Sequence, residues 1–193
     1  MRSLDFAAAA FAALAALGTA RAAPVTYRVD PTHAAVFYAV SHFGTSTNRG
    51  RFDVKGGTIE IDRAAKTGQV DITIDTAHID SGVQALDEHL QSKDFFDSAQ
   101  YPTGRFTADK IGFDGDKVAS VSGQLTLRGK TEPVTLTAEH FNCYLSPMFK
   151  RQVCGGDFKT TIKRSLWGID WGLNFGFPDE VPLTIQVEAI EQS

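Results

Sequence analysis

The chain has 193 residues, 42% of them hydrophobic and 22% charged, with 17 Gly, 7 Pro and a formal net charge of −4. That is the composition of one soluble globular domain, and it excludes a disordered or collagen-like chain. A sequence pI near 5.7, with no Lys/Arg cluster, removes the electrostatic basis for gripping nucleic acid, whose phosphates require a basic face.

From Phe6 to Leu17 the chain is an unbroken run of Phe, Ala and Leu, with Arg2 before it and the small-x-small site Ala20-Arg21-Ala22 after it. The pattern predicts a secretory signal peptide over residues 1–22, cut after Ala22. Twelve apolar residues are too few for a hydrocarbon core that needs about 20. No later run approaches that length, so no transmembrane anchor is expected. Cleavage would remove Arg2, Arg21 and Asp5, leaving 171 residues with a net charge of −5. An exported, acidic protein with one domain over residues 24–193 is expected.

In this domain the apolar period is two, the mark of half-buried strands. Val36, Tyr38 and Val40 alternate first, with His42 on the same parity. Phe52 and Val54 are even and Ile59 and Ile61 odd, so a β-bulge is expected at Gly56-Gly57, where one extra residue flips the later side chains. Val70, Ile72 and Ile74 follow. From Ser81 to Lys93 the period changes: Val83, Leu86 and Leu90 are three and four apart, which predicts a short amphipathic helix with Ser81 and Gln84 as a capping box. The Asp94-Phe95-Phe96 segment behind it makes a natural plug or lid. Strands resume through Phe106, Val121–Leu127 and Val134–Ala138, with His140 on the last parity. They continue through Phe158 and Ile162, with Arg164 in step, and finish with Val181, Leu183, Ile185 and Val187.

Gly56-Gly57, Lys66-Thr67-Gly68, Asp114-Gly115-Asp116, Arg128-Gly129-Lys130 and Ser146-Pro147 are turn signals spaced for antiparallel hairpins. The two cysteines, Cys143 and Cys154, favour one disulfide closing a hairpin in an oxidising compartment; two free buried thiols are the alternative. About eight strands and a plugging helix suit either a sandwich or a closed barrel, and an eight-stranded barrel is either filled by its own side chains or holds one ligand. The inward aromatic residues fit a plain core as well as a ligand wall.

A buried Arg164 calls for a carboxylate such as Asp94 or Asp170, a ligand head group or a wet rim. No two histidines share a metal-type spacing, and there is no Gly-x-Ser-x-Gly elbow, phosphate-cradling Gly loop or His-Glu-x-x-His. The sequence therefore names neither a metal nor a catalytic cofactor, and no catalytic residue.

The chain also resembles the YceI-like family. The resemblance rests on Tyr27-x-x-Asp30-x-x-His33, Val36-x-Tyr38-x-Val40-x-His42, Gly50-x-Phe52 and His89-Leu90-x-Ser92-x-Asp94-Phe95-Phe96. It continues in Tyr101-Pro102, Phe106, Gly123-x-Leu125-Thr126-Leu127-x-Gly129-x-Thr131, Val134 and Arg164-x-x-x-Gly168. It implies an all-β fold with one or two short helices, an extended eight-stranded antiparallel lipocalin-like β-barrel. In the bacterial periplasm this barrel would hold an isoprenoid tail, that of a ubiquinone-like quinone or a polyprenyl phosphate. Ala34 stands where the family commonly has Ser, and Tyr38 where it commonly has Phe. On this reading Val36, Tyr38, Val40, Phe95, Phe96, Phe106, Leu125, Leu127, Phe158 and Trp167 line a tunnel, with His42 and Arg164 as head-group or rim contacts. Cys143 and Cys154 lie in an insertion and serve the scaffold. An enzyme acting on an isoprenoid, and a non-catalytic interaction module with a filled core serving a membrane redox or envelope-stress partner, are the competing expectations. Pairing into a homodimer through an exposed strand or face is a further one.

Overall fold

The computed structural model describes residues 23–192, so the expected signal peptide lies outside the described residues. Nine strands form one sheet: β1 (Val25–Val29), β2 (Ala35–His42), β3 (Ser46–Asp62), β4 (Thr67–Asp80), β5 (Thr103–Asp114), β6 (Lys117–Leu127), β7 (Lys130–Leu145), β8 (Gln152–Lys163) and β9 (Glu180–Glu191). Every pairing is antiparallel, and the order β3-β2-β9-β8-β7-β6-β5-β4 closes through a β3–β4 pairing. The result is a barrel of eight stave positions. β1 and β2 share one stave. Between β3 and β9, β1 takes the lower part (Tyr27 opposite Ile59 and Glu191) and β2 the upper (Tyr38 opposite Gly50 and Leu183). The break falls at Pro31, which has no N–H for a ladder; Asp30 caps the 3-10 turn there by accepting from Thr32 N.

Closure leaves no free sheet edge, and its geometry is marked by bulges. Gly56-Gly57 is not a turn between strands, since β3 runs through it without a break. The β3–β4 register slips between Phe52 and Val54 and again between Val54 and Gly56, so the parity change is the bulge its sequence predicts. At Arg128-Gly129 both residues have positive φ, 48° and 72°, the twist a two-residue hairpin needs.

The top of the barrel is closed by two segments. The first carries a helix α1 (Gln84–Gln91), shorter than the pattern over Ser81–Lys93 predicts. Gly82, at φ +76°, is left-handed and stops the helix from starting earlier. Ser81 therefore makes no capping box: its N–H donates to the Asp87 carboxylate and its hydroxyl bonds within a turn to Val83. Val83 is exposed rather than core. The second segment, residues 164–179, contains short 3-10 turns at Arg164–Trp167 and Leu173–Phe175. Arg128, on the β6–β7 turn, ties the two together by donating to Lys93 O at 3.1 Å and Gly168 O at 2.5 Å.

At the bottom, Cys143 and Cys154 are bonded across directly opposed positions of β7 and β8. The disulfide reading holds and the free-thiol alternative falls. His140 does not point inward. The β7–β8 register slips between Ala138 and His140, which flips the parity. His140 is exposed beside Asp157, and Phe141 turns inward in its place.

Candidate functional site

Inward residues from all eight staves enclose two stacked apolar hollows. The upper one, about 110 Å³, lies under the two top segments and is walled by Val36, Tyr38 and Val40 of β2, Phe52 of β3 and Ile74 and Thr76 of β4. Leu125 and Leu127 of β6, Ile162, Val181 and Leu183 complete its sides, and Leu90, Phe95, Phe96, Arg164 and Ile169 close its roof. The lower hollow, about 60 Å³, is lined by Tyr27, Phe106, Phe141, Phe158, Ile185 and neighbouring aliphatic residues.

The expected continuous tunnel is therefore interrupted. Phe106 of the lower hollow is paired directly with Leu125 of the upper, and Ile185 lies opposite both Val36 and Phe158. Phe106, Phe158 and Ile185 thus form a girdle in the wall at the level between the two hollows. The upper hollow is somewhat smaller than an engineered apolar cavity of about 150 Å³ that stays dry and binds benzene. A larger depression, about 730 Å³, crosses the outer wall past Glu60, Asp71, Asp109 and Lys110. It is open to water, so an apolar guest would shed little of its hydration there. A wholly apolar lining, not gross volume, marks the candidate site.

Eight of the twelve residues singled out in the sequence meet at the upper hollow: Val36, Tyr38, Val40, Phe95, Phe96, Leu125, Leu127 and Arg164. Phe106 and Phe158 line the lower one. Two line neither hollow. His42, the last residue of β2, lies exposed at the barrel rim, the alternative to a head-group contact, with its ring 5.0 Å from Phe43 and 5.5 Å from Phe177. Trp167 is 1% exposed; its indole N–H donates to Leu125 O at 3.0 Å, pinning the Arg164–Trp167 turn to β6. Parity identifies the face of a strand but not where the barrel ends.

Arg164 points inward, yet it does not meet Asp94 or Asp170 as expected. Its Nε donates to Pro178 O, and its Nη1 to Ile169 O and Trp171 O, each at 2.9 Å. Backbone carbonyls take its Nε and Nη1 instead. Burial lowers its pKa, opposed by the more distant Asp179 and Asp170 carboxylates. Asp179 is itself held by the Ser165 N–H and hydroxyl. Arg164 thus works as a staple for the roof loop.

Aromatic rings form the gate. Inside, Tyr38 packs on Phe52 at 5.7 Å and Phe52 on Phe96 at 5.0 Å; above them Phe95 packs on Trp171 at 5.4 Å and Trp171 on Phe177 at 5.9 Å. At the rim Phe43 and Phe175 are 56% and 61% exposed. Among the described residues no group of three or more His, Cys, Asp or Glu is placed to hold a metal ion, and no helix is long and apolar enough to cross a membrane.

Comparison with known families is direct: the YceI-like domain description matches residues 27–189. The chain belongs to the YceI-like family. YceI of Escherichia coli O157:H7 is 33% identical over 190 residues, covering 98% of this chain and 96% of that protein. A UPF0312 protein of Vibrio vulnificus strain YJ016 is 36% identical over 121 residues, covering 62% of this chain; the match spans 64% of that relative's length. The solved structure of a polyisoprenoid binding domain from Saccharophagus degradans superposes with a TM-score of 0.63 at 16% identity, covering 86% of this chain and 98% of that one, a likeness of fold.

Within this YceI-like barrel, sequence reasoning does not single out Phe52, Ile74, Leu90, Ile162, Ile169, Val181 or Leu183 as wall residues. Their alternation is visible, but it does not separate wall from filled core. That distinction depends on which side chains face one another across the axis.

Proposed function

We propose that the protein is a periplasmic carrier that shelters the tail of an isoprenoid lipid, a quinone or polyprenyl phosphate, inside its barrel, and that it binds rather than transforms this guest. The observation that carries the reading is the enclosed apolar hollow under an aromatic roof, surrounded by side chains of Val, Leu, Ile and Phe. Membership of the YceI-like family and a fold shared with a polyisoprenoid binding domain support it. Burial of apolar carbon at about 0.8 kcal/mol per CH₂ gives each five-carbon isoprene unit roughly 4 kcal/mol of driving force, less the cost of ordering a flexible chain. Two or three units would suffice for firm retention.

A long tail fills both hollows only when the Phe106, Phe158 and Ile185 girdle parts. Side-chain rotation is the least costly route, because the ladder around it is intact. The closed girdle is also what a filled-core interaction module would show, and that alternative predicts no guest.

Two substitutions separate the readings. Leu127→Arg and Phe96→Asp each place a charge in the upper wall and should abolish lipid retention, measured by organic extraction and mass spectrometry, while far-ultraviolet circular dichroism keeps its β signal. Lipid recovered from both variants at the unaltered level would place the guest elsewhere and overturn the proposal.

A further inference from the structure

The upper hollow contains one polar anomaly. Among the described residues, the Tyr38 hydroxyl is the single buried side-chain oxygen or nitrogen without a hydrogen-bond partner. Tyr38 is 9% exposed and its ring forms part of the hollow's wall. Directly across on β3 stands Gly50, and the phenol is folded into the space that a side chain there would occupy; a Cβ on Gly50 would overlap the Tyr38 oxygen. Thr76, another hydroxyl in this wall, already donates to Tyr101 O at 2.6 Å. Arg164 has committed its Nε and Nη1 to three carbonyls. The Tyr38 hydroxyl thus carries an unpaired proton on a ring that walls the free volume, with the oxygen itself lying against Gly50.

An unpaired phenol in an apolar site carries a desolvation cost with no return, so a cavity meant only for hydrocarbon would be better served by phenylalanine. No hydrogen bond anchors the ring in its niche. To meet a guest, the ring would have to turn about its side-chain torsions, moving the oxygen from the Gly50 side into the hollow.

We propose that Tyr38 is a specificity-determining donor, by which the upper hollow selects isoprenoids carrying an uncharged hydrogen-bond acceptor at the head of the tail, such as the ring carbonyl of a quinone. This rests on the isoprenoid-binding reading above and narrows it. At the Tyr38 hydroxyl the nearby Asp87 and Asp80 carboxylates disfavour an anion, and the Arg164 guanidinium in the roof of the same hollow opposes them. Burial, then the Asp87 and Asp80 carboxylates, push its phenol up to about 12, so the group stays protonated as a donor. The same two carboxylates repel a phosphate placed beside it.

The test compares the full mature protein with Tyr38→Phe, using three probes of equal tail length: a benzoquinone with a three-isoprene tail, the corresponding oxygen-free hydrocarbon, and the corresponding prenyl phosphate. The wild type should prefer the quinone to the hydrocarbon by about tenfold, the worth of one hydrogen bond. Tyr38→Phe should bring the ratio of quinone to hydrocarbon affinity close to one and melt no lower than the wild type. The carbonyl stretch of the bound quinone should lie at lower wavenumber in the wild type than in the variant. Unchanged quinone affinity and an unchanged carbonyl band in Tyr38→Phe would overturn the inference and leave the carrier reading standing. So would tightest binding of the phosphate regardless of Tyr38. If no probe binds the wild type, the carrier reading itself fails and this inference falls with it.

Discussion

Arg164 and Asp75 show how single charged groups hold the barrel's upper end. Replacing Arg164 with Met keeps most of its bulk but strands the carbonyls of Pro178, Ile169 and Trp171. The loss should be about 3 kcal/mol, or a fall in Tm of roughly 6–12 °C by calorimetry. Arg164→Lys should not rescue it, since an ammonium lacks the guanidinium fork. Asp75, buried on β4, accepts from Lys55 Nζ at 3.0 Å, His78 Nδ1 at 2.9 Å and Ala77 N at 3.0 Å. Burial works to raise its pKa, but these hydrogen bonds and the Lys55 charge outweigh it and hold the carboxyl below its ordinary 3.8. A depressed folded pKa stabilises the fold above the unfolded value and loses that contribution as pH falls through the folded one. The urea midpoint of the wild type should therefore drop more steeply than that of Asp75→Asn below about pH 5. Parallel pH profiles for the two proteins would contradict this.

At the scale of elements, the girdle and the lower hairpin carry separate expectations. Phe106→Ala and Phe158→Ala each remove a ring from the layer between the hollows, and should shift the preferred guest toward longer tails in a competition among prenyl quinones. Preference unchanged in both would mean that the hollows are never joined. Converting Cys143 and Cys154 to Ser opens an 11-residue separation and should cost about 3 kcal/mol in denaturant unfolding, with little effect on a guest held mainly above it. Much of this level is legible in the sequence. The alternation of Val181, Leu183, Ile185 and Val187 and the parity switch at Gly56-Gly57 reappear as a strand and a bulge. What stays hidden depends on context. The slip after Ala138 that turns His140 outward is marked only on the partner strand, by Gly156, whose missing Cβ admits the His140 carbonyl, and the left-handed Gly82 overrides an apolar spacing that extends the helix to Ser81. Trp167 reads as a wall residue until the turn that carries it is seen to pack on the Leu125 backbone.

Over the whole molecule, the two ends differ. The top carries the roof helix, the aromatic gate and the exposed Phe43 and Phe175, whereas the bottom is closed by hairpins and the disulfide. A guest that enters at the top meets Phe95 and Phe96 first, Tyr38 next and the girdle last. On the proposed reading, the contacts along a chain-like ligand would then run from polar recognition near the top to hydrocarbon burial toward the base. The account depends on the barrel holding a slender apolar molecule, and native mass spectrometry of protein taken from the periplasm without detergent measures this directly. It predicts one isoprenoid per barrel, identified by organic extraction of the same sample. A bare polypeptide mass, with no lipid in the extract and no uptake of an added prenyl quinone, would contradict it.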